Sequence, residues 1–221
     1  MTIHCRVSWG INRMRRILPL LLALLCLLTA CGKKEGTFVQ DEDGLGCTNT
    51  DTGIHYKALD FCFRPAKTGR TVGTYVSDQV EYTRTYYEIP GKDTALFLAD
   101  DEGGVWYAGD APLTPSSMTA EKILVCENGD VSLALLSFTK EANGATVSAL
   151  LNGWFSGTAT ELPEGIPSLV REIRILYTEL ENIHYCVNFC VMEDNGYLYD
   201  IGSGRAVALT PELTATLCGE T

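Results

Sequence analysis

The chain has 221 residues and a formal net charge of −11, with 17 Lys and Arg against 28 Asp and Glu. That length suits one domain or two small ones and buries roughly 70% of the unfolded surface, so folding needs no disulfide or metal staple. The acidic balance, with no Lys/Arg stripe after residue 30, excludes nucleic acid, whose phosphates require clustered cations; the same charge is repelled by anionic headgroups, so a folded part stands off a membrane surface.

Residues 1–30 carry Arg6, Arg13, Arg15 and Arg16 and no acid, so from Cys31 onward 13 basic side chains face 28 acidic ones, a net of −15. The cluster Arg13, Arg15, Arg16 is followed by an apolar run, Ile17–Leu28, and then by Thr29-Ala30. This is the three-part order of a secretory signal peptide. The run of 12 residues is shorter than the ~20 needed to span a bilayer permanently. Met14, immediately before Arg15-Arg16, is read as the true start. Leu28-Thr29-Ala30-Cys31 resembles a bacterial lipobox, and over residues 14–31 the chain resembles a bacterial lipoprotein. The resemblance implies diacylglyceryl transfer to the Cys31 thiol and cleavage between Ala30 and Cys31. It further implies a membrane-anchored protein facing the extracytoplasmic side, with membrane lipid as its first partner through acylated Cys31. The chemistry requires Cys because a thiolate is the nucleophile that accepts the lipid. Two or three acyl chains hold far more firmly than one, at ~0.8 kcal/mol per buried CH₂.

Residues 32–46 (GKKEGTFVQDEDGLG) are polar and Gly-rich. They are expected to form a flexible tether with a span of roughly 20 Å, and residues 47–221 a single extracytoplasmic domain. Strands are expected at Ile54–Phe63, Thr71–Val76, Val80–Ile89, Thr94–Ala99 and Val105–Ala108. Asn128-Gly129, Asn143-Gly144 and Asn195-Gly196 supply the positive φ that two-residue hairpins need. They suggest a meander over Glu121–Glu127, Val131–Lys140 and Ala145–Leu151, then a hairpin over Ile183–Met192 and Tyr197–Ile201. Ile166, Leu169, Val170, Ile173, Leu176, Tyr177 and Leu180 recur at helical spacing. They predict an amphipathic helix over about 167–181. Thr210-Pro211 predicts the start of a short final helix. The expected fold class is α+β, mainly antiparallel sheet with that helix on one face. Phe97–Tyr107 and Phe189–Tyr199 align without a gap, which two unrelated acidic hairpins explain more simply than a duplication.

Six cysteines follow Cys31: Cys47, Cys62, Cys126, Cys186, Cys190 and Cys218. An exported chain permits disulfides among them, with Cys47–Cys62 the plausible short-loop pair. On a strand, Cys186 and Cys190 sit about 13 Å apart and cannot bond. His184-x-Cys186-x-x-x-Cys190 spaces its side chains too widely for a tetrahedral ion. Asp41-x-Asp43 starts like a calcium loop, but Thr52 stands where the bidentate Glu belongs. Ser137-Phe138-Thr139-Lys140 and Lys67-Thr68-Gly69 fit S-x-x-K and K-T-G in the reverse chain order. Asp100-Asp101-Glu102 and Glu193-Asp194 are expected in exposed turns. The aromatics Tyr82, Tyr86, Tyr87, Trp106, Tyr107, Trp154 and Phe155 are core or cross-strand residues first, and a docking surface second.

No coherent catalytic set emerges, and neither a cofactor nor a metal site is expected. The leading expectation is a noncatalytic binding or accessory module at the cell envelope, with an envelope protein as the further partner. An envelope enzyme assembled from distant residues and a structural spacer are the alternatives.

Overall fold

A computed structural model describes residues 35–77, 81–127 and 133–219. The signal-like segment, the lipobox, Cys31 and the Asn128-Gly129 turn lie outside the described residues. From Gly36 onward the chain belongs to one unit. The expected tether therefore ends earlier than its composition suggests. Thr37, Phe38 and Val39 form part of strand β1 (Gly36–Gln40), in which Phe38 is buried and Thr37 and Val39 are exposed.

β1 continues into β2 (Gly46–Asn49) and β3 (His55–Ala58). A short strand, β4 (Phe63–Pro65), then leaves this sheet, and the chain returns through β5 (Thr71–Val76), β6 (Thr83–Tyr87), β7 (Phe97–Asp100) and β8 (Val105–Tyr107). Seven of these strands close a barrel in the order β1-β2-β3-β8-β7-β6-β5. The closing pair, β1 with β5, is parallel, with Gly36 opposite Gly73. The barrel interior is filled by Phe38, Cys47, Tyr56, Tyr86, Leu98 and Trp106. Ring centroids of Phe38 and Tyr86 lie 4.3 Å apart, and Tyr86 meets Trp106 edge-on at 5.5 Å. In a barrel this small, side chains of this size fill the interior.

The second half holds β9 (Ala120–Glu127), β10 (Ala134–Thr139), helix α1 (Lys140–Ser156), β11 (Leu169–Tyr177), β12 (Ile183–Met192), β13 (Asn195–Asp200), β14 (Arg205–Ala208) and helix α2 (Pro211–Cys218). Its antiparallel sheet runs β10-β9-β11-β12-β13-β14, with β4 also paired to β12. Val147, Leu150 and Trp154 of α1 share a core with Ile123, Val125, Ile173, Ile175, Val187 and Phe189. Phe63, Phe97, Ala99 and Val105 from the first half enter the same core. β7 is accordingly buried on both faces, Leu98 toward the barrel interior and Phe97 and Ala99 toward the common core.

The fold is α+β with mainly antiparallel sheet, but its helix is not where the spacing placed it. Residues 169–177, within the expected helix over 167–181, form β11, in register with both β9 and β12. Leu169, Val170, Ile173, Leu176 and Tyr177 satisfy a helical template, yet Ile173, Ile175 and Tyr177 also lie on one face of a strand. The β-branched Val170, Ile173 and Ile175 fit a pleated surface, and two waiting neighbour strands decide the matter. The long helix is instead α1. Thr139 caps it, its Oγ1 accepting the Ala142 N–H at 3.2 Å. Asn143-Gly144, expected as a hairpin turn, is a kink in its first turns, with Asn143 at φ −129° and ψ 34°. The hairpin expected over Ile183–Met192 and Tyr197–Ile201 is formed, with its turn at Glu193-Asp194, both at positive φ, and Asn195-Gly196 already inside β13. The final helix begins at Thr210-Pro211 as expected, with Gly219 as its left-handed terminator at φ 82°. The two aligned segments differ in register: Phe97 pairs with Tyr107, whereas Phe189 pairs with Leu198.

Two glycines separate strain from slack. A Cβ at Gly73 would sit 2.2 Å from the Gly36 carbonyl oxygen and 2.7 Å from the Phe38 ring, at the seam that closes the barrel. A Cβ at Gly144 would meet nothing within 4 Å. Gly73→Ala should therefore lose about 1–3 kcal/mol, while Gly144→Ala should gain about 0.5–1 kcal/mol from helix propensity. Urea titrations of both variants check the opposite signs.

Candidate functional site

One edge of β12 is shared by two strands. β4 pairs with Ile183–Tyr185, and β13 pairs with Asn188–Met192. The two partners run in the same direction, so the residue before β4 meets the end of β13 beside Cys186 and Val187. Those residues are Cys62 and Asp200. The Cys62 carbonyl accepts the Cys186 N–H at 2.7 Å, which continues the β4 pairing by one step. At this junction a cavity of about 280 Å³ opens, lined by Asp60, Cys62, Trp154, Phe155, Tyr185, Asp200, Ser203 and Arg205.

Local hydrogen bonds set each polar group. Asp60 Oδ1 accepts the Cys62 N–H at 3.0 Å. Asp200 Oδ1 accepts the Gly202 N–H at 3.1 Å and Oδ2 the Ser203 N–H at 2.8 Å. Arg205 Nη2 donates to the Trp154 and Gly157 carbonyls at 2.8 and 3.1 Å, capping the end of α1, while its guanidinium lies 5.3 Å over the Trp154 ring. Trp154 Nε1 donates to the Tyr185 hydroxyl at 3.3 Å. Asp60, Cys62 and Asp200 bring one carboxylate oxygen, one sulfur and one further carboxylate oxygen to within 4.8 Å of one another. Cys62 is 3% exposed, whereas Asp60 is open to solvent and Asp200 half-buried. Phe61 and Ile201, 68% and 78% exposed, sit beside these acids, with Phe61 lying against Gly202.

Burial pushes the Cys62 thiol up to about 12, against a smaller opposing pull from the Tyr185 hydroxyl. Burial also raises Tyr185. Burial alone would raise Asp200, but hydrogen bonds from Ser203, Gly202 and the Cys62 thiol outweigh it and hold that carboxyl below the usual range. The thiol is thus neutral, and no histidine lines the cavity to deprotonate it. Nucleophilic catalysis needs the opposite arrangement, a thiolate made by a neighbouring base or cation.

The structure scatters most residues flagged in the sequence. Cys47 and Cys62 are free thiols in different cores, Cys47 inside the barrel and Cys62 against the sheet, so the short-loop disulfide is not formed. His184, Cys186 and Cys190 share one strand face but form no ligand cluster. Asp41 pairs with His55 at 2.9 Å. Ser137 lies on β10, whereas Lys67 and Gly69 fall between β4 and β5. Asp101 and Glu102 are exposed as expected, but Asp100 is buried, accepting from the Gly104 N–H at 2.6 Å and from Trp106 Nε1 at 2.9 Å. Trp106 and Trp154 are both buried and offer no docking surface. Asp60 and Asp200 carried no sequence signal, because 140 residues of chain separate them and only the divided edge of β12 joins them.

No family model, no curated protein and no solved structure matches the chain.

Two measurements probe the site's electrostatics. A thiol near 12 leaves roughly one thiolate in ten thousand at pH 8, so iodoacetamide should alkylate Cys62 in the native protein far more slowly than in the unfolded chain, by peptide mapping. The depressed Asp200 carboxyl contributes stability above its unfolded value, about 3.9, and loses it as pH falls through the lower folded value. Asp200→Asn should therefore destabilise at pH 7, and the difference from wild type should close in strong acid, in denaturation curves taken across pH.

Proposed function

We propose that the protein is a lipid-tethered, extracytoplasmic binding module of the bacterial cell envelope, with the cavity at the β4–β13 junction as its ligand site. The observation that carries the binding reading is the character of that cavity. Two carboxylates, a neutral thiol and an aromatic wall converge there, and the thiol is held protonated by burial. Such a surface selects a ligand by charge and shape. A hydrolase or transferase built on Cys62 would require a thiolate, and burial holds that thiol neutral.

The address rests on the N-terminal sequence. The basic cluster, the apolar run and Leu28-Thr29-Ala30-Cys31 support export followed by lipidation of Cys31. The strongly acidic remainder supports a domain held near the membrane and repelled from its surface. Among the described residues no helix is long and apolar enough to cross a membrane. The folded unit begins at Gly36, only a few residues beyond Cys31, which would keep the module close to the bilayer face.

Fractionation tests the address. Cys31→Ser should move the protein from the membrane pellet to the soluble fraction, and wild type should yield a diacylglyceryl-modified Cys31 peptide in mass spectra. A mutant that remains fully membrane-bound would refute the lipid anchor.

A further inference from the structure

We propose that Asp60, Cys62 and Asp200 form a binding site for a borderline-soft divalent transition-metal ion of the zinc type. The inference rests on the cavity being the module's ligand site and names the class of ligand. Three donors from two distant stretches of chain converge with their ligand atoms mutually within 4.8 Å. They do so at the wall of a cavity large enough to admit an ion with its remaining water.

The donor set selects the ion. Calcium takes six to eight oxygens, and magnesium demands a near-octahedral oxygen shell. Two carboxylates and one sulfur suit neither. A sulfur beside two carboxylate oxygens suits zinc or cobalt, which accept Cys and Asp together in low coordination numbers. Two carboxylates and a thiolate against the Arg205 guanidinium leave two negative charges, which a divalent ion cancels. As the ion arrives the thiol gives its proton to solvent, and the sulfur's lone pair goes to the metal.

Hydrogen bonds already orient two of the three ligands. The Asp200 carboxylate is held by the Gly202 and Ser203 N–H groups, and Asp60 by the Cys62 N–H. Each bond leaves a further lone pair on its oxygen for coordination. Such outer-shell contacts tune affinity at established metal sites. Behind them, Trp154 donates to the Tyr185 hydroxyl and the Arg205 guanidinium lies over the Trp154 ring.

The test is a cobalt titration of the full chain, purified from membranes in detergent at neutral pH. One Co²⁺ per chain should bind and produce a thiolate-to-cobalt charge-transfer band in the near ultraviolet. Zn²⁺ should abolish the band, and excess Ca²⁺ should leave it. Cys62→Ser should remove the band, and Asp60→Asn, a change at an exposed position that spares the core, should weaken binding at least tenfold. His55→Ala, at the exposed Asp41 pair, should change nothing. A wild-type protein without the band, a band that survives Cys62→Ser, or affinity unmoved by Asp60→Asn would each overturn the proposal. Membrane retention is read separately, so a protein that stays on the membrane but binds no cobalt removes the metal and leaves the lipid anchor standing.

Discussion

Everything distinctive about this molecule depends on the divided edge of β12. Ile183–Met192 is paired along one side with β11, while its other side is split between β4 and β13. A backbone edge buried without partners costs free energy at every orphaned N–H and C=O, so both short strands are held there by the same requirement. β4 comes from the half of the chain that builds the barrel and β13 from the half that builds the sheet. Their shared neighbour is what joins the two halves into one core. The junction cannot be closed perfectly, because a strand beginning and a strand ending do not continue each other's backbone. The cavity is the residue of that mismatch.

A small barrel packed on a sheet must bury some polar atoms, and the way it does so explains its rigidity. Asp100 is 4% exposed, which would be costly for a lone carboxylate. It accepts N–H groups from Glu102 and Gly104 and the Trp106 indole, with Arg84 Nε at 3.8 Å. Arg84 in turn reaches Glu102 at 2.8 Å and lies 5.4 Å over the Trp106 ring. The network holds the β7–β8 turn and the largest side chain of the barrel interior with one set of bonds. Arg171 acts similarly at the other end, donating to the Leu217 and Cys218 carbonyls that terminate α2. Charged side chains here cap backbone ends and fix turns; they do not merely decorate a surface.

Much of the strand content was legible because it is coded locally. Thr71–Val76 coincides with β5, and Val105–Ala108 differs from β8 by one residue. The misreadings share a physical cause. Residues 169–177 satisfy two periodicities, and the choice between them is made by β9 and β12, which are remote in sequence. Val147, Leu150, Leu151, Trp154 and Phe155 do recur at helical spacing in α1. The Asn143-Gly144 turn signal masked them, though a helix tolerates that pair as a kink near its start. The tether misled for a similar reason: a Gly-rich, acidic stretch resembles a linker until β2 and β5 supply the pairing that makes β1 a strand. The site was legible least of all. A Cys and two Asp residues separated by most of the chain carry no spacing pattern, and only their topology brings them together.

That topology also bears on how a domain whose Cys47 and Cys62 are unpaired thiols holds together. Covalent staples would need pairs of thiols in register, and Cys47 and Cys62 occupy separate cores. A cross-link between the β3–β4 connection and the end of β13 would tie the same two halves that β12 joins. Asp60 and Cys62 belong to the first of these segments and Asp200 to the second. A ligand engaging all three binds only the folded arrangement, because the unfolded chain rarely brings them near one another. Its binding free energy is therefore added to folding, as RT ln(1 + [L]/Kd). Ligation at these three residues and the integrity of the β12 junction would then be thermodynamically linked, each favouring the other.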